Sequence, residues 1–192
     1  MKPTAIDTFE TPRLTAERLR LDHLGDYLRL FQDPQAMKTL SADGKPLSTE
    51  EATRWLQRSV EHWDRHAFGF WALRTKTDRQ FVGRAGLKKV DVDGQGDVEL
   101  AYALLPQFWG QRFATEVSEG ILKVAFETLG LSELICFTLK TNLASQHVMQ
   151  KVGFRFEREG PHVGLPHVFY RLSAAGYAAR AARKAEASQG SA

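Results

Sequence analysis

The chain has 192 residues, 43% hydrophobic and 26% charged, proportions that suit one soluble domain with a full core and leave little room for two. No apolar run reaches the roughly 18 residues of a membrane helix, and residues 1–7 lack the apolar segment of a secretory signal, so a cytoplasmic protein without membrane contact is expected. Of the net charge of +3, the segment with Arg180, Arg183 and Lys184 against Glu186 carries +2; the remainder shows no basic face interleaved with exposed aromatics, which excludes nucleic acid as a primary partner.

Residues 1–12 lack periodicity and read as a flexible lead-in, and residues 13–21 as a first strand. Leu24, Tyr27, Leu28 and Phe31 fall at i, i+3, i+4 and i+7, the spacing of an amphipathic helix. Asp33 and Pro34 are the cap and first residue of a second, short helix, and residues 41–47, with Gly44 and Pro46, form a loop. Ser48 and Glu51 make a capping box for a helix to about residue 65. Its Trp55 and Trp63 read as core or groove-wall residues. Residues 69–75 and 81–87 are strands joined by a polar turn, and the turn Asp93-Gly94-Gln95-Gly96 leads into a strand at 97–104, completing an antiparallel meander.

Residues 106–112 form a loop that opens a helix to about residue 129, with Val117, Ile121, Leu122, Val124, Ala125 and Leu129 mostly on one face. A helix N-terminus has backbone N–H groups without intrahelical acceptors and a positive dipole end, so it binds anions, phosphate above all. Gly110 lets backbone come close to a ligand. On these features alone a phosphate site and an ordinary strand-to-helix turn are both open. Residues 133–138 then form a strand that returns from the crossover helix as a parallel neighbour of 97–104. The single cysteine, Cys136, lies in this apolar run and reads as a buried thiol, not a nucleophile. Residues 142–154 are helical and stop at Gly153. Residues 154–159 and 168–172 make a final hairpin around 161–166. The Ala-rich tail, 173–192, is helical by propensity over 174–187 with Tyr177 as its main anchor, and disordered over 188–192.

Two stretches carry a family resemblance. Gln107-x-x-Gly110 followed by Phe113-Ala114-Thr115-Glu116 resembles the acetyl-CoA signature of the GNAT acetyltransferase superfamily, most of all its ribosomal-protein alanine N-acetyltransferase branch. Asn142-x-x-Ser145-x-x-Val148-x-x-Lys151-x-Gly153-Phe154 resembles that family's second element at every named position. Two such motifs in order, with a strand between, are far more specific than either alone. Over residues 10–172 the resemblance implies a single domain, 13–172, of α/β (α+β) class: a mixed, mostly antiparallel sheet with a splayed parallel pair and helices on both faces. It implies acetyl-CoA as cosubstrate. The pyrophosphate would be held by the loop, at Gln107, Trp109, Gly110, Gln111, Arg112, Phe113, Ala114 and Thr115. The pantetheine arm would lie between the splayed strands near Ala103 and Leu104, with Asn142 and Ser145 alongside. The family's second Gly or Ala is Arg112 here; its guanidinium either meets a phosphate or points to solvent.

Acetyl transfer to an amine requires an oriented thioester, a polarised carbonyl, a deprotonated amine and a protonated or stabilised leaving thiolate. Many relatives use a Tyr for the thiolate where this chain has Met149, which cannot donate. Ser145 matches the Ser of the ribosomal-protein branch in that role, and is otherwise a helix-surface or capping residue. Asn142 hydrogen-bonds the pantetheine, caps its helix, or does both. Glu99 is a general base if it faces the cleft and a solvated strand residue if it does not. His162 and His167 are alternatives, and the branch's loop carboxylate falls on Gly164. The family's oxyanion donor is a backbone N–H around Ala103 or Leu104. His147 faces solvent. No His pair has a zinc spacing, so no metal is expected. The implied function is acetyl transfer from acetyl-CoA to a primary amine, a small molecule or a protein N-terminus, by a monomer or homodimer. The early helices and the 161–166 loop build the acceptor side, where Trp55, Trp63 and residues 41–47 are placed. Met149, Arg112 and Gly164 leave open a non-catalytic acyl-CoA-binding domain, or use of a different acyl-CoA.

Overall fold

The expected succession of strands and helices is realised as β1 (Thr8–Glu10), β2 (Leu14–Arg18), α1 (Leu24–Phe31), α2 (Pro34–Met37), α3 (Thr49–His66), β3 (Phe70–Thr75), β4 (Phe81–Val92), β5 (Gln95–Leu104), α4 (Phe113–Lys123), β6 (Glu133–Leu139), α5 (Leu143–Val152), β7 (Arg155–His162), β8 (Leu165–Ser173) and α6 (Ala174–Gln189). A π-helical turn, Val124–Thr128, extends α4. The structure is a computed structural model that describes residues 6–41 and 43–189. The strands form one sheet in the order β1-β2-β3-β4-β5-β6-β8-β7, antiparallel except for β5 and β6. Local chemistry sets the helix starts. Asp33 Oδ1 accepts from the amides of Gln35 and Ala36 at 2.9 and 2.8 Å, and Ser48 and Glu51 accept from each other's amides at 3.2 and 2.8 Å.

Two expectations about the chain ends are corrected. The stretch taken as a loose lead-in contains β1, an edge strand paired with β2. Three residues are too few to display alternation; what holds them is Phe9, edge-on to the buried Trp71 at 5.1 Å, and the Trp71 indole N–H donating to Ile6 O at 3.1 Å. At the other end α6 is docked as well as helical, and it includes Ser188 and Gln189; the rest of the disorder expectation, residues 190–192, lies outside the described residues. The Tyr177 ring stacks on Phe126 at 5.0 Å and its hydroxyl donates to Glu127 at 2.6 Å, the anchoring expected of it. Glu119 of α4 receives Arg180 at 2.5 Å and Lys184 at 2.8 Å. Burial alone would raise the Glu119 pKa, but these two cations outweigh it and hold the carboxyl below its usual range. A carboxylate lowered by folding stabilises above its unfolded pKa and loses that contribution as pH falls through the folded one. Glu119→Ala is therefore expected to cost about 1 kcal/mol at neutral pH, screening at this partly exposed pair included, or about 2–4 °C in Tm. Melting curves should show the difference shrinking towards acid pH.

Candidate active site

Strands β5 and β6 pair at one position, Glu99 with Ile135, and then separate. A cavity of about 930 Å³ passes through the gap. Because side chains alternate across a strand, β5 presents a different set to each side of the sheet. Glu99, Ala101 and Ala103 share a face with their β4 partners Lys88, Gly86 and Arg84, and Arg84 lies over Phe31 of α1 on that side. Leu100, Tyr102 and Leu104 share the opposite face, where Tyr102 reaches α5.

On the α4 side the loop begins with a 3-10 turn, Pro106–Phe108, and the Trp109 indole N–H donates to Leu104 O at 2.8 Å. Gly110 (φ 73°) and Arg112 (φ 65°) both adopt left-handed backbone. For a non-glycine residue this costs about 1–2 kcal/mol, which is why a Gly-rich pattern suits this loop and what Arg112 costs in place of Gly. Arg112 occupies the N-cap without a capping side-chain bond; the first bond of α4 is Glu116 N–H to Arg112 O at 3.0 Å. The amides of Phe113, Ala114 and Thr115 therefore lack intrahelical acceptors, and they front the cavity at the positive end of the helix dipole. This donor set fits a pyrophosphate. The loop is braced from behind: Glu116 accepts from Thr11 Oγ1 at 2.5 Å and from Arg13 N and Nε at 2.8 and 2.6 Å, while Arg13 Nη2 donates to Gln111 O at 2.9 Å. Burial alone would raise the Glu116 pKa; these donors hold it below the ordinary value. Trp109, Gly110, Arg112, Phe113, Ala114 and Thr115 line the cavity. Gln107 and Gln111 do not: both are exposed, and the Gln111 side-chain amide donates to Gln107 O at 2.8 Å on the outer side of the turn.

On the α5 side Ser145 Oγ lies 2.9 Å from Tyr102 Oη, an interaction the sequence reading missed. Burial pushes the Tyr102 phenol well above its ordinary pKa, so it stays protonated. Asn142 caps α5, its Oδ1 accepting from Ser145 N–H at 3.2 Å and its Nδ2 donating to Thr138 Oγ1 at 3.0 Å. Both therefore fix the turn that carries Ser145. Met149 is buried. Cys136 is buried too, its thiol donating to Leu100 O at 3.0 Å, and burial beside Glu99 pushes its pKa well above normal.

On the α1–α3 side Glu99 faces the cavity and accepts no hydrogen bond among the described residues. Burial pushes its pKa up, with Lys88 and Arg84 offsetting part of the effect. His62 also lines this half, but both ring nitrogens are engaged: Nδ1 lies 2.9 Å from Phe68 O, and Nε2 accepts from Lys89 N–H at 2.9 Å. Desolvation lowers it to about 4, so it is neutral and structural. His162 and His167 come together, ring centroids 5.3 Å apart, with His167 Nδ1 3.0 Å from Leu165 O. Desolvation, then the neighbouring His167, lowers the His162 pKa. Gly164 (φ 75°) follows Val163 (φ 49°) in a two-residue β7–β8 turn; left-handed backbone at both positions explains a glycine where the resemblance puts a carboxylate. Trp55 and Ser41 line the cavity, whereas Trp63 is core, its indole N–H donating to Phe70 O at 2.7 Å.

A split parallel pair, a helix N-terminus with free amides at its mouth and a cavity running through to the far face define an acyl-CoA-dependent transferase. The family model described as "Acetyltransferase (GNAT) domain" matches residues 13–155, and the chain belongs to this acetyltransferase family. It is 32% identical over 155 residues to the FsC-acetyl coenzyme A-N(2)-transacetylase of Aspergillus fumigatus, covering 76% of this chain and 64% of that relative. Among solved structures, a GNAT-family acetyltransferase from Bordetella pertussis superposes with a TM-score of 0.76 at 19% identity, covering 86% of this chain and 99% of that one. RimL, the ribosomal L7/L12 alpha-N-protein acetyltransferase, solved with coenzyme A, superposes with a TM-score of 0.72 at 12% identity, covering 86% and 97%. These two likenesses concern the fold. Among the described residues no helix is long and apolar enough to cross a membrane.

Proposed function

We propose that the protein moves acetyl from acetyl-CoA to a primary amine by direct attack in a ternary complex. The observation that carries this reading is the single cavity with Ser145 and Tyr102 on one side of the sheet and Glu99 on the other. The loop amides and Arg112 take the pyrophosphate, and the pantetheine arm enters between β5 and β6. Glu99, directly or through one water, accepts the proton of the ammonium, and the free amine attacks the thioester carbon. The oxyanion meets a backbone N–H at Ala103 or Leu104. As the C–S bond breaks, Ser145 passes its proton to the departing thiolate while Tyr102 donates a hydrogen bond to the Ser145 oxygen. The second proton, shed by the attacking nitrogen as the amide forms, returns to Ser145 through solvent, so amide and CoA thiol leave and Glu99 releases the proton it took from the ammonium. A covalent enzyme intermediate is disfavoured because the one thiol, Cys136, is buried, protonated and hydrogen-bonded. The name of the A. fumigatus relative agrees with an acetyl-CoA donor and a nitrogen acceptor.

Calorimetric titration with acetyl-CoA, followed by thiol release across an amine panel, tests the reading. Saturable binding with turnover supports it; binding without any turnover favours a CoA-binding domain instead. Ser145→Ala is expected to lower kcat about 10–100-fold with acetyl-CoA affinity nearly unchanged, and Tyr102→Phe less, about 3–10-fold. A Ser145→Ala enzyme at full rate would remove the pair from the mechanism.

A further inference from the structure

Arg84 sits in the acceptor half of the cavity and has no part in the transfer described above. Its guanidinium carbon stands 3.8 Å from the Phe70 ring centroid and 5.1 Å from that of Phe31. Its Nε is buried without a hydrogen-bond partner, and among the described residues Arg84 forms no ion pair. Other partly buried arginines differ. Arg74 is paired with Glu17 and Asp26, and Arg171 with Asp97, Glu133 and Glu157. Buried guanidinium donors are normally satisfied, so an exception that opens on a cavity marks a place for an acceptor group from outside.

The surrounding charges point the same way. Among the described residues Arg58 and Lys88 line the same half without ion pairs, and Glu99 is the one acid in the lining. Three cations against one carboxylate repel a bare ammonium, yet an ammonium is what an amine acceptor brings at neutral pH. A substrate that carries its own anion removes the conflict: its ammonium goes to Glu99 and its anion to Arg84. With aromatic rings against the guanidinium faces, the edge remains for recognition, and its parallel N–H groups match a planar carboxylate. We propose that the acceptor is an amino carboxylate whose carboxylate is bound by Arg84; this rests on the acetyl-transfer reading.

The test is thiol release from acetyl-CoA with matched pairs: glycine and methylamine, 4-aminobutyrate and butylamine, phenylalanine and phenethylamine, a dipeptide and its C-terminal amide, with O-phosphoethanolamine and ethanolamine as the phosphate pair. The carboxylate member of at least one pair is expected to be favoured tenfold or more in kcat/KM. Arg84→Gln should reduce that ratio at least tenfold, chiefly through KM, and Arg84→Lys less; the Lys variant keeps the test alive should the Gln variant fail to fold. Equal use of both members of every pair, an unchanged ratio in the folded variants, or preference for the phosphate over every carboxylate overturns the proposal. If no amine releases thiol, the acetyl-transfer reading fails. Calorimetry of the same amino carboxylates on the CoA complex then decides the Arg84 site alone: heat present in the wild type and lost in the variant supports it, and no heat overturns it.

Discussion

Glu99→Gln is expected to lower kcat/KM about 10²–10³-fold at pH 7 while raising the melting temperature. The first effect follows from removing the group proposed to accept the ammonium proton. That carboxyl works only when ionised, and burial raises its pKa, so the wild-type rate should climb with pH through the elevated value. The Gln variant should lose that ascending limb. The stability effect has the opposite sign. The folded chain keeps the Glu99 proton at pH values where the unfolded chain, with Glu near about 4.3, has released it. Stability therefore falls as pH rises from the unfolded value towards the raised folded one. Glutamine does not titrate, so the variant should melt above wild type at pH 7, and the difference should shrink as pH falls towards about 4.3. Melting and pH–rate profiles on the same samples check both halves. An unchanged kcat/KM would pass the base role to His167.

Gly110→Val is expected to weaken acetyl-CoA binding more than a hundredfold in a protein that still folds. A Cβ at Gly110 would have no protein atom within 4 Å outside its chain neighbours, so the side chain enters open space at a position that lines the cavity. The backbone strain at φ 73° costs on the order of 1–2 kcal/mol for a β-branched residue, which a domain of this size tolerates. The ligand does not tolerate it. Each charge-assisted hydrogen bond between amide and phosphate contributes about 1.5–3 kcal/mol, and losing two of them exceeds a hundredfold in Kd. Calorimetry with acetyl-CoA beside a melting curve separates the two effects; full affinity would remove this loop from the binding site. Gly83→Val is the control for contrast, because a Cβ there lies 2.2 Å from Ala103 O and the damage falls on the sheet itself.

Much of this architecture was legible in the chain because it rests on short-range chemistry. Asp33, the Ser48–Glu51 box, the Gly153 stop and the periodicities of α1 and α4 act within a few residues of themselves, and the two family motifs supplied the split of β5 from β6. What escaped was long-range. Tyr102 and Ser145 are 43 residues apart, and no local pattern says that a phenol on one side of β5 will meet a hydroxyl on α5. Nor did the sequence decide which way Glu99 points; strand parity decides it, once Arg84 and Ala103 are known to be partners. Gln107 and Gln111 are a different case. The motif places them at the loop; the Gln111 side-chain amide donates to the Gln107 backbone carbonyl, and neither residue lines the cavity. Arg84 carries no motif at all: its significance lies in the partner it lacks.

The brace behind the phosphate loop has a kinetic consequence. Thr11 and Arg13 come from the turn between β1 and β2, and Glu116 from the middle of the chain; once these meet, the loop is already ordered. Ordering a free segment costs about 1–2 kcal/mol per residue, a sum that would otherwise be subtracted from the affinity of any ligand bound there. Folding has met that entropy before acetyl-CoA arrives. Cofactor uptake should therefore be a near rigid-body encounter, its rate set by diffusion and the charge of the loop rather than by a slow rearrangement. In the acceptor half His62 bridges Phe68 O and the Lys89 amide, while the left-handed Val163 stands exposed at the cavity rim.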